Sequence, residues 1–249
     1  MEKAKGKISM RQAWLLFLIT FYTPSVRVLA SYTANSAKQA AWLSPILSMI
    51  IFMIVAYAMN PLLQKYKGKS MMDIVYYVTS KFWGKIILSI YLLWMIVLLS
   101  LYVRYYAERL VTSVYPNVEI NVFVISMLIL VSIVIKSGLV VVARMNEIIA
   151  VLIVLVFIIL MLFLVPNIEI SNLTPVSRLD IVPIIKGNIG LTSLIYLPYI
   201  MFLSDRFTKI EEFIKLSWAL GFSALALGML IIITSVGTMG HTIIARSHL

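Results

Sequence analysis

The 249-residue chain is predicted to be an all-α integral membrane protein, and three observations carry that reading. Hydrophobic side chains make up 62% of it and charged ones only 12%, with a mean hydropathy of +1.01, far outside the range of soluble domains. Apolar runs of about 20 residues, the length that crosses about 30 Å of hydrocarbon as a helix, recur roughly seven times. The 21 Lys and Arg, against 10 Asp and Glu, sit between those runs rather than on one polar face, which argues against a nucleic-acid binder.

In order, the runs are Met10 to Ala30, Ala40 to Leu63, Trp83 to Leu110, Ile120 to Ile135, Val142 to Val165, Pro183 to Ser204 and Phe213 to Gly237. The first follows Lys3, Lys5 and Lys7, as a signal peptide would. It has no small-residue cleavage site, carries Arg27 and precedes six more runs, so it is read as a retained span. The second stops at Lys65. The third starts among Lys81 and Lys85 and carries Tyr102, Tyr105 and Tyr106, an aromatic belt, with Arg104 and Glu108 paired at i, i+4. The fourth is bounded by Glu119 and Lys136, the fifth opens on Arg144 and Glu147 at i, i+3, and the seventh follows Glu211 and Glu212.

Seven crossings divide the basic residues unevenly between the two sides. One side collects Lys3 to Arg11, Lys65 to Lys85, Lys136 with Arg144, and Arg206 to Lys215. The other holds only Lys38, Arg104, Arg109, Arg178, Lys186 and Arg246. The positive-inside rule then predicts a cytoplasmic N-terminus, with anionic-lipid contact by the Lys65 to Lys69 cluster as a further reading of the same charge.

Spans one and six carry helix-breaking chemistry. Thr20, Thr23, Pro24 and Ser25 interrupt the first near its midpoint, while Gly187, Asn188, Gly190, Thr192 and Ser193 interrupt the sixth, with Pro198 further in. Unsatisfied backbone in hydrocarbon costs several kcal/mol, so such breaks persist where protein, water or ligand meets the freed groups. The offset of five spans is that of a five-helix unit repeated upside down, with each unit's first helix broken at a midplane site. Freed amides favour a carboxylate and freed carbonyls an ammonium, so the expected ligand is a small zwitterion such as an amino acid. Candidate ligand-binding residues are Thr23, Pro24, Ser25, Gly187, Asn188, Gly190, Thr192 and Ser193. The alternative is a pair of ordinary kinks. Arg27 either closes an outer gate or snorkels to the interface. Tyr91, which shares a face with Trp94 at i, i+3, either lines the pocket or packs.

Other chemistry is thin. No cysteine is present, and His241 and His248 match no metal-ligand spacing, so no metal and no cofactor is expected. The acidic residues all fall in loops or at span ends, which disfavours a carboxylate proton relay. Without a Walker A loop, a G-x-S-x-G elbow or a dinucleotide fingerprint, an enzyme is not expected.

Several strings in order resemble the B-subunit permeases of spore nutrient-germinant receptors, a branch of the amino acid, polyamine and organocation transporter superfamily. They are Lys7-Ile8-Ser9 with Arg11-Gln12; Ala41-Trp42-Leu43; Asp73-Ile74-Val75 then Gly84-Lys85-Ile86-Ile87; Ala143-Arg144 with Glu147; and Leu173, Pro175 and Pro183-Ile184-Ile185-Lys186-Gly187. The resemblance implies two inverted five-helix repeats, a germinant site between broken helices one and six, and a place in the spore inner membrane or cytoplasmic membrane beside A and C subunits. The expected organisation is one polytopic domain over 1–249, with a first repeat at about 8–165 and a partial second repeat at about 175–240. Since the family has ten spans, the chain reads as a C-terminally truncated member with an incomplete five-plus-five fold. Where the family favours a glycine turn in span one and Gly-Gln-Asp-Ala-Trp before span two, this chain has Thr23-Pro24-Ser25 and Lys38-Gln39-Ala40-Ala41-Trp42. The alternatives are a secondary amino acid transporter and an inactive remnant or structural membrane subunit.

Overall fold

The structure, a computed structural model, describes residues 6–189 and 197–246, and the side chains of all of these except 21–28, 189 and 197–199. Among the described residues the regular elements are helical apart from a single parallel bridge between Ile8 and Phe207. Helix α1 is Met10–Ala37, α2 Ser44–Lys65, α3 Met71–Thr79, α4 Lys81–Ser113 and α5 Ile120–Lys136. Then follow α6 Leu139–Leu164, α7 Ile181–Ile189, α8 Leu197–Phe202, α9 Phe213–Met239 and α10 His241–Arg246. Four described stretches are long and apolar enough to cross a membrane: Leu29–Lys65, Lys81–Ser113, Leu139–Asn167 and Ile210–Met239. The apolar Ile120–Lys136 is shorter.

Local chemistry sets the helix ends. Ser9 caps α1 reciprocally with Gln12: the Gln12 amide donates to Ser9 Oγ at 3.2 Å and the Ser9 amide to Gln12 Oε1 at 3.0 Å. Such a box contributes about 1 kcal/mol. At the other end of α1 the chain turns through a 3-10 segment, Lys38–Leu43, with Ala40 and Ala41 buried, so α2 starts at Ser44 rather than at Ala40. Ser70 and Asp73 form a second capping box that starts α3, a nine-residue helix outside every expected span. The turn between α5 and α6 needs φ +87° at Gly138, and that after α9 needs φ +74° at Gly240, a region open to glycine.

Contacts at the helix ends sort the chain into two faces. On the N-terminal face the Ile8 amide donates to the Arg206 carbonyl at 2.9 Å and the Thr208 amide to the Ile8 carbonyl at 3.2 Å. Gln64 Nε2 donates to the Ile210 carbonyl, Ser204 Oγ to the Lys69 carbonyl, and Gln12 Nε2 to Glu147. On the opposite face the Glu169 amide and Asn172 Nδ2 both donate to the Gly237 carbonyl at 3.0 Å. Helices α1, α2, α6 and α9 therefore run from one face to the other, and α4 and α5 form a hairpin that leaves from and returns to the N-terminal face. The basic clusters around Lys7, Lys65 to Lys85, Lys136 and Arg206 to Lys215 share that face, as the charge pattern predicts.

Burial is concentrated in two layers. Near the N-terminal face, Ile8, Ala13 and Phe17 pack with Met59 and Leu63 of α2, Ile200 of α8 and Phe213, Leu216 and Leu220 of α9. Near the opposite face, Leu29, Ala30, Ala34 and Ala37 pack with Ile231, Ile232 and Val236. Small side chains let α1 and α9 approach closely, which drives helix association where lipid is as apolar as leucine. By contrast, none of the most apolar stretch of α4 is buried, against 39% for α9. Helix α5 has no buried residue, and α6 buries only Ala143 and Ala150. These outward faces are the lipid-facing surface of a membrane protein.

Phe213→Ala, which empties a fully buried site, is expected to cost about 3 kcal/mol, whereas Phe222→Ala on the exposed side of the same helix is expected to stay within about 0.5 kcal/mol. Thermal unfolding of both variants in detergent, with equal losses as the contrary outcome, checks that α9 is the packed centre.

Candidate functional site

Between the two packed layers lies the stretch of α1 that carries Thr20 to Arg27. The backbone of α1 is helical throughout Met10–Ala37, so the interruption expected in span one takes the form of a proline inside a continuous helix, not an unwound segment. Proline has no N–H, so Pro24 withdraws the donor that would otherwise reach the Thr20 carbonyl. Thr20 itself remains bonded by its hydroxyl to the Leu16 carbonyl at 2.7 Å. The side chains of Thr23, Pro24, Ser25 and Arg27 lie outside the described residues.

Span six is helical on either side of residues 190–196, which lie outside the described residues and include Gly190, Thr192 and Ser193. Helix α7 precedes them and packs through Ile184 on the layer near the opposite face. Helix α8 follows them and packs through Ile200 on the layer near the N-terminal face.

The structure brings Gly187 and Asn188 against spans one and two. A Cβ on Gly187 would stand 3.0 Å from Ser36 Cβ and 3.8 Å from Thr33 Cα, so the glycine sets how closely α7 approaches α1. Asn188 is almost wholly buried and accepts a hydrogen bond through Oδ1 from Ser48 Oγ. One turn earlier on α2, Ser44 is buried, and its hydroxyl has no hydrogen-bond partner among the described residues. Thr33, also buried, donates to the Leu29 carbonyl at 2.7 Å. The result is a neutral polar patch built by α1, α2 and α7 at the level where α7 ends.

Sequence reasoning missed the contribution of α2. Its signal was Ser44 and Ser48 at i, i+4, one face of a helix whose next turns are apolar. The Tyr91 ring meets that of Phe202 edge-on at 5.8 Å, near the end of α8. Trp94 is 46% exposed. The Arg104 and Glu108 pair forms as spaced, at 2.8 Å. Glu147 instead reaches Arg11 at 3.7 Å and Gln12 at 3.3 Å, because the capped start of α1 lies across from it. A groove of about 360 Å³ runs along α5 from Ile125 to Lys136, on the lipid side and apart from this patch. No cluster of metal-ligating side chains occurs among the described residues.

Helices of spanning length, an apolar exterior and a buried polar patch where α7 ends belong to a multi-pass membrane protein. The family model for spore germination proteins, the spore permease family, matches residues 7–247, and the chain belongs to that family. No curated protein and no solved structure matches the chain.

Replacing Asn188 by Ala, which removes the acceptor of the Ser48 hydroxyl from a buried setting, is expected to cost about 1 to 3 kcal/mol. In a double-mutant cycle on thermal unfolding, Ser48→Ala added to Asn188→Ala is expected to cost little more; full additivity would mean that the two side chains do not act together.

Proposed function

We propose that the chain is the membrane subunit of a spore nutrient-germinant receptor and binds a small zwitterion, an amino acid in the first instance, between spans one and six. Membership of the spore germination family supports the role in germination. The observation that carries the ligand site is buried Asn188, held by Ser48 at the end of α7, two residues before the Gly190 to Ser193 stretch. Pro24 supports it from the other side by freeing the Thr20 carbonyl for an ammonium. Thr23, Ser25, Thr192 and Ser193 supply hydroxyls for the remaining hydrogen bonds.

Signalling follows from differential affinity. A ligand that binds one arrangement of the helices better than another shifts their populations and transmits the change to the A and C subunits of the receptor in the spore inner membrane. On this reading the N-terminus is cytoplasmic, and the bridge of Ile8 to Phe207, together with Gln12 and Arg11 on Glu147, holds the cytoplasmic end closed.

Three measurements test the reading. Ser25→Ala and Ser193→Ala are each expected to raise the nutrient concentration for half-maximal germination roughly tenfold, the loss of one hydrogen bond to a charged ligand group. An unchanged dose response in both sinks the site. Glu147→Ala, which removes a partly exposed latch of at most about 1 kcal/mol, is expected to raise spontaneous germination up to about fivefold without moving the half-maximal concentration. Uptake of labelled amino acid into proteoliposomes at transporter-like rates would favour a carrier over a sensor.

A further inference from the structure

The corner where α2 ends, α3 intervenes and α4 begins has no part in the ligand site, yet it is built from charged and aromatic side chains in fixed relation. Helix α3 has nine residues, about 14 Å, and cannot cross a membrane. Both its ends lie on the N-terminal face: Ser204 Oγ donates to the Lys69 carbonyl at 2.8 Å just before it, and Lys81 opens α4 just after it. One side of α3 is seated, with Ile74 buried and the Tyr76 ring so close to Gly84 that a Cβ there would fall 2.7 Å from it.

The other side of the corner is apolar and open. Met72, Tyr77 and Val78 of α3 and Phe82 and Trp83 of α4 are all exposed, Tyr77 to 70% and Trp83 to 60%. Bulky aromatic side chains exposed on a short amphipathic helix, beside the start of a lipid-facing span, match a segment lying in the membrane interface.

The basic residues of this corner are arranged rather than scattered. The Tyr66 and Tyr77 rings meet edge-on at 5.8 Å. Lys69 Nζ stands 4.9 Å from the Tyr77 centroid and 5.8 Å from that of Tyr66, and Lys65 Nζ stands 5.5 Å from Tyr66. Ring faces attract an ammonium and hold it in place without neutralising it. Lys67 pairs with Glu211. The described ion pairs do not use Lys65, Lys69, Lys81 or Lys85. Four cations without a carboxylate partner among the described residues, beside side chains suited to the interface, complement anionic headgroups.

We infer that the α2–α3–α4 corner is a docking surface for anionic phospholipid, in which Lys65 and Lys69, held on the rings of Tyr66 and Tyr77, contact the headgroup phosphate while Tyr77, Phe82 and Trp83 enter the interface. This is independent of the proposed germinant site, since none of its residues lies on α1, α7 or α8.

The test titrates the full chain in detergent with phosphatidylglycerol or phosphatidylcholine and counts bound lipid by native mass spectrometry. The wild type is expected to prefer phosphatidylglycerol. Lys65→Gln with Lys69→Gln is expected to weaken phosphatidylglycerol binding about 25-fold, about fivefold for each ammonium removed. Lys65→Arg with Lys69→Arg, which keeps both charges, is expected to retain most of the affinity. Lys136→Gln with Arg144→Gln removes as much charge from another part of the same face and is expected to leave it nearly unchanged. Equal losses from the two Gln pairs, equal binding of both lipids, or a partner protein retained at the corner in place of lipid would overturn the inference.

Discussion

An unpaired peptide group in hydrocarbon costs several kcal/mol, and that penalty organises this chain. It makes the spans helical, and it turns most hydroxyls in them back onto their own helix. Ser100 donates to the Ile96 carbonyl at 2.8 Å, Ser132 to Leu128 at 2.7 Å and Ser223 to Ala219 at 2.7 Å, each satisfying itself without a neighbour. Ser48 reaches both ways: its hydroxyl lies 3.4 Å from the Ser44 carbonyl of its own helix and also meets Asn188 on another. Pro24 differs because it has no hydrogen to give, and the Thr20 carbonyl loses its usual partner.

Packing explains why those exceptions matter. With no hydrophobic drive between helices in lipid, close approach depends on small residues. Ala30, Ala34 and Ala37 supply it on α1, as does Gly187 where α7 meets Ser36. Two tight layers result, one near each face, both drawing on α1 and α9. Polar groups such as Asn188 are tolerated between and beside these layers, where a side chain of a neighbouring helix meets them. The exposed faces of α4, α5 and α6 need no such care, because acyl chains cover apolar side chains at no cost.

The spans were legible because their signal is length and composition. Charges at Lys65, Lys81, Glu119, Lys136 and Glu211 bound runs that the helices follow to within a few residues, and the uneven distribution of bases marks which ends share a face. The chemistry of Pro24 and the likeness to the germination permeases were legible for the same reason, being written in single residues and short strings. Helix α3 escaped because nine amphipathic residues between charged segments resemble a loop when the search is for 20 apolar ones, although Ser70 and Asp73 announced its start. The local pairing expected of Arg144 with Glu147 gave way to Arg11 and Gln12, residues more than 130 positions away that helical spacing cannot bring to mind.

By itself, then, the order of amino acids determined that this is a helical membrane protein of the spore germination family and where its long apolar helices lie, since the helices follow from local hydrophobicity and charge and the family from short strings in order. Only the tertiary structure decided that Asn188 is met by span two, that Tyr91 packs on Phe202 and that Lys69 rests between two tyrosine rings. Those pairings depend on how helices distant in sequence rotate and slide against one another, and that is settled by small residues and side-chain shape across the whole bundle.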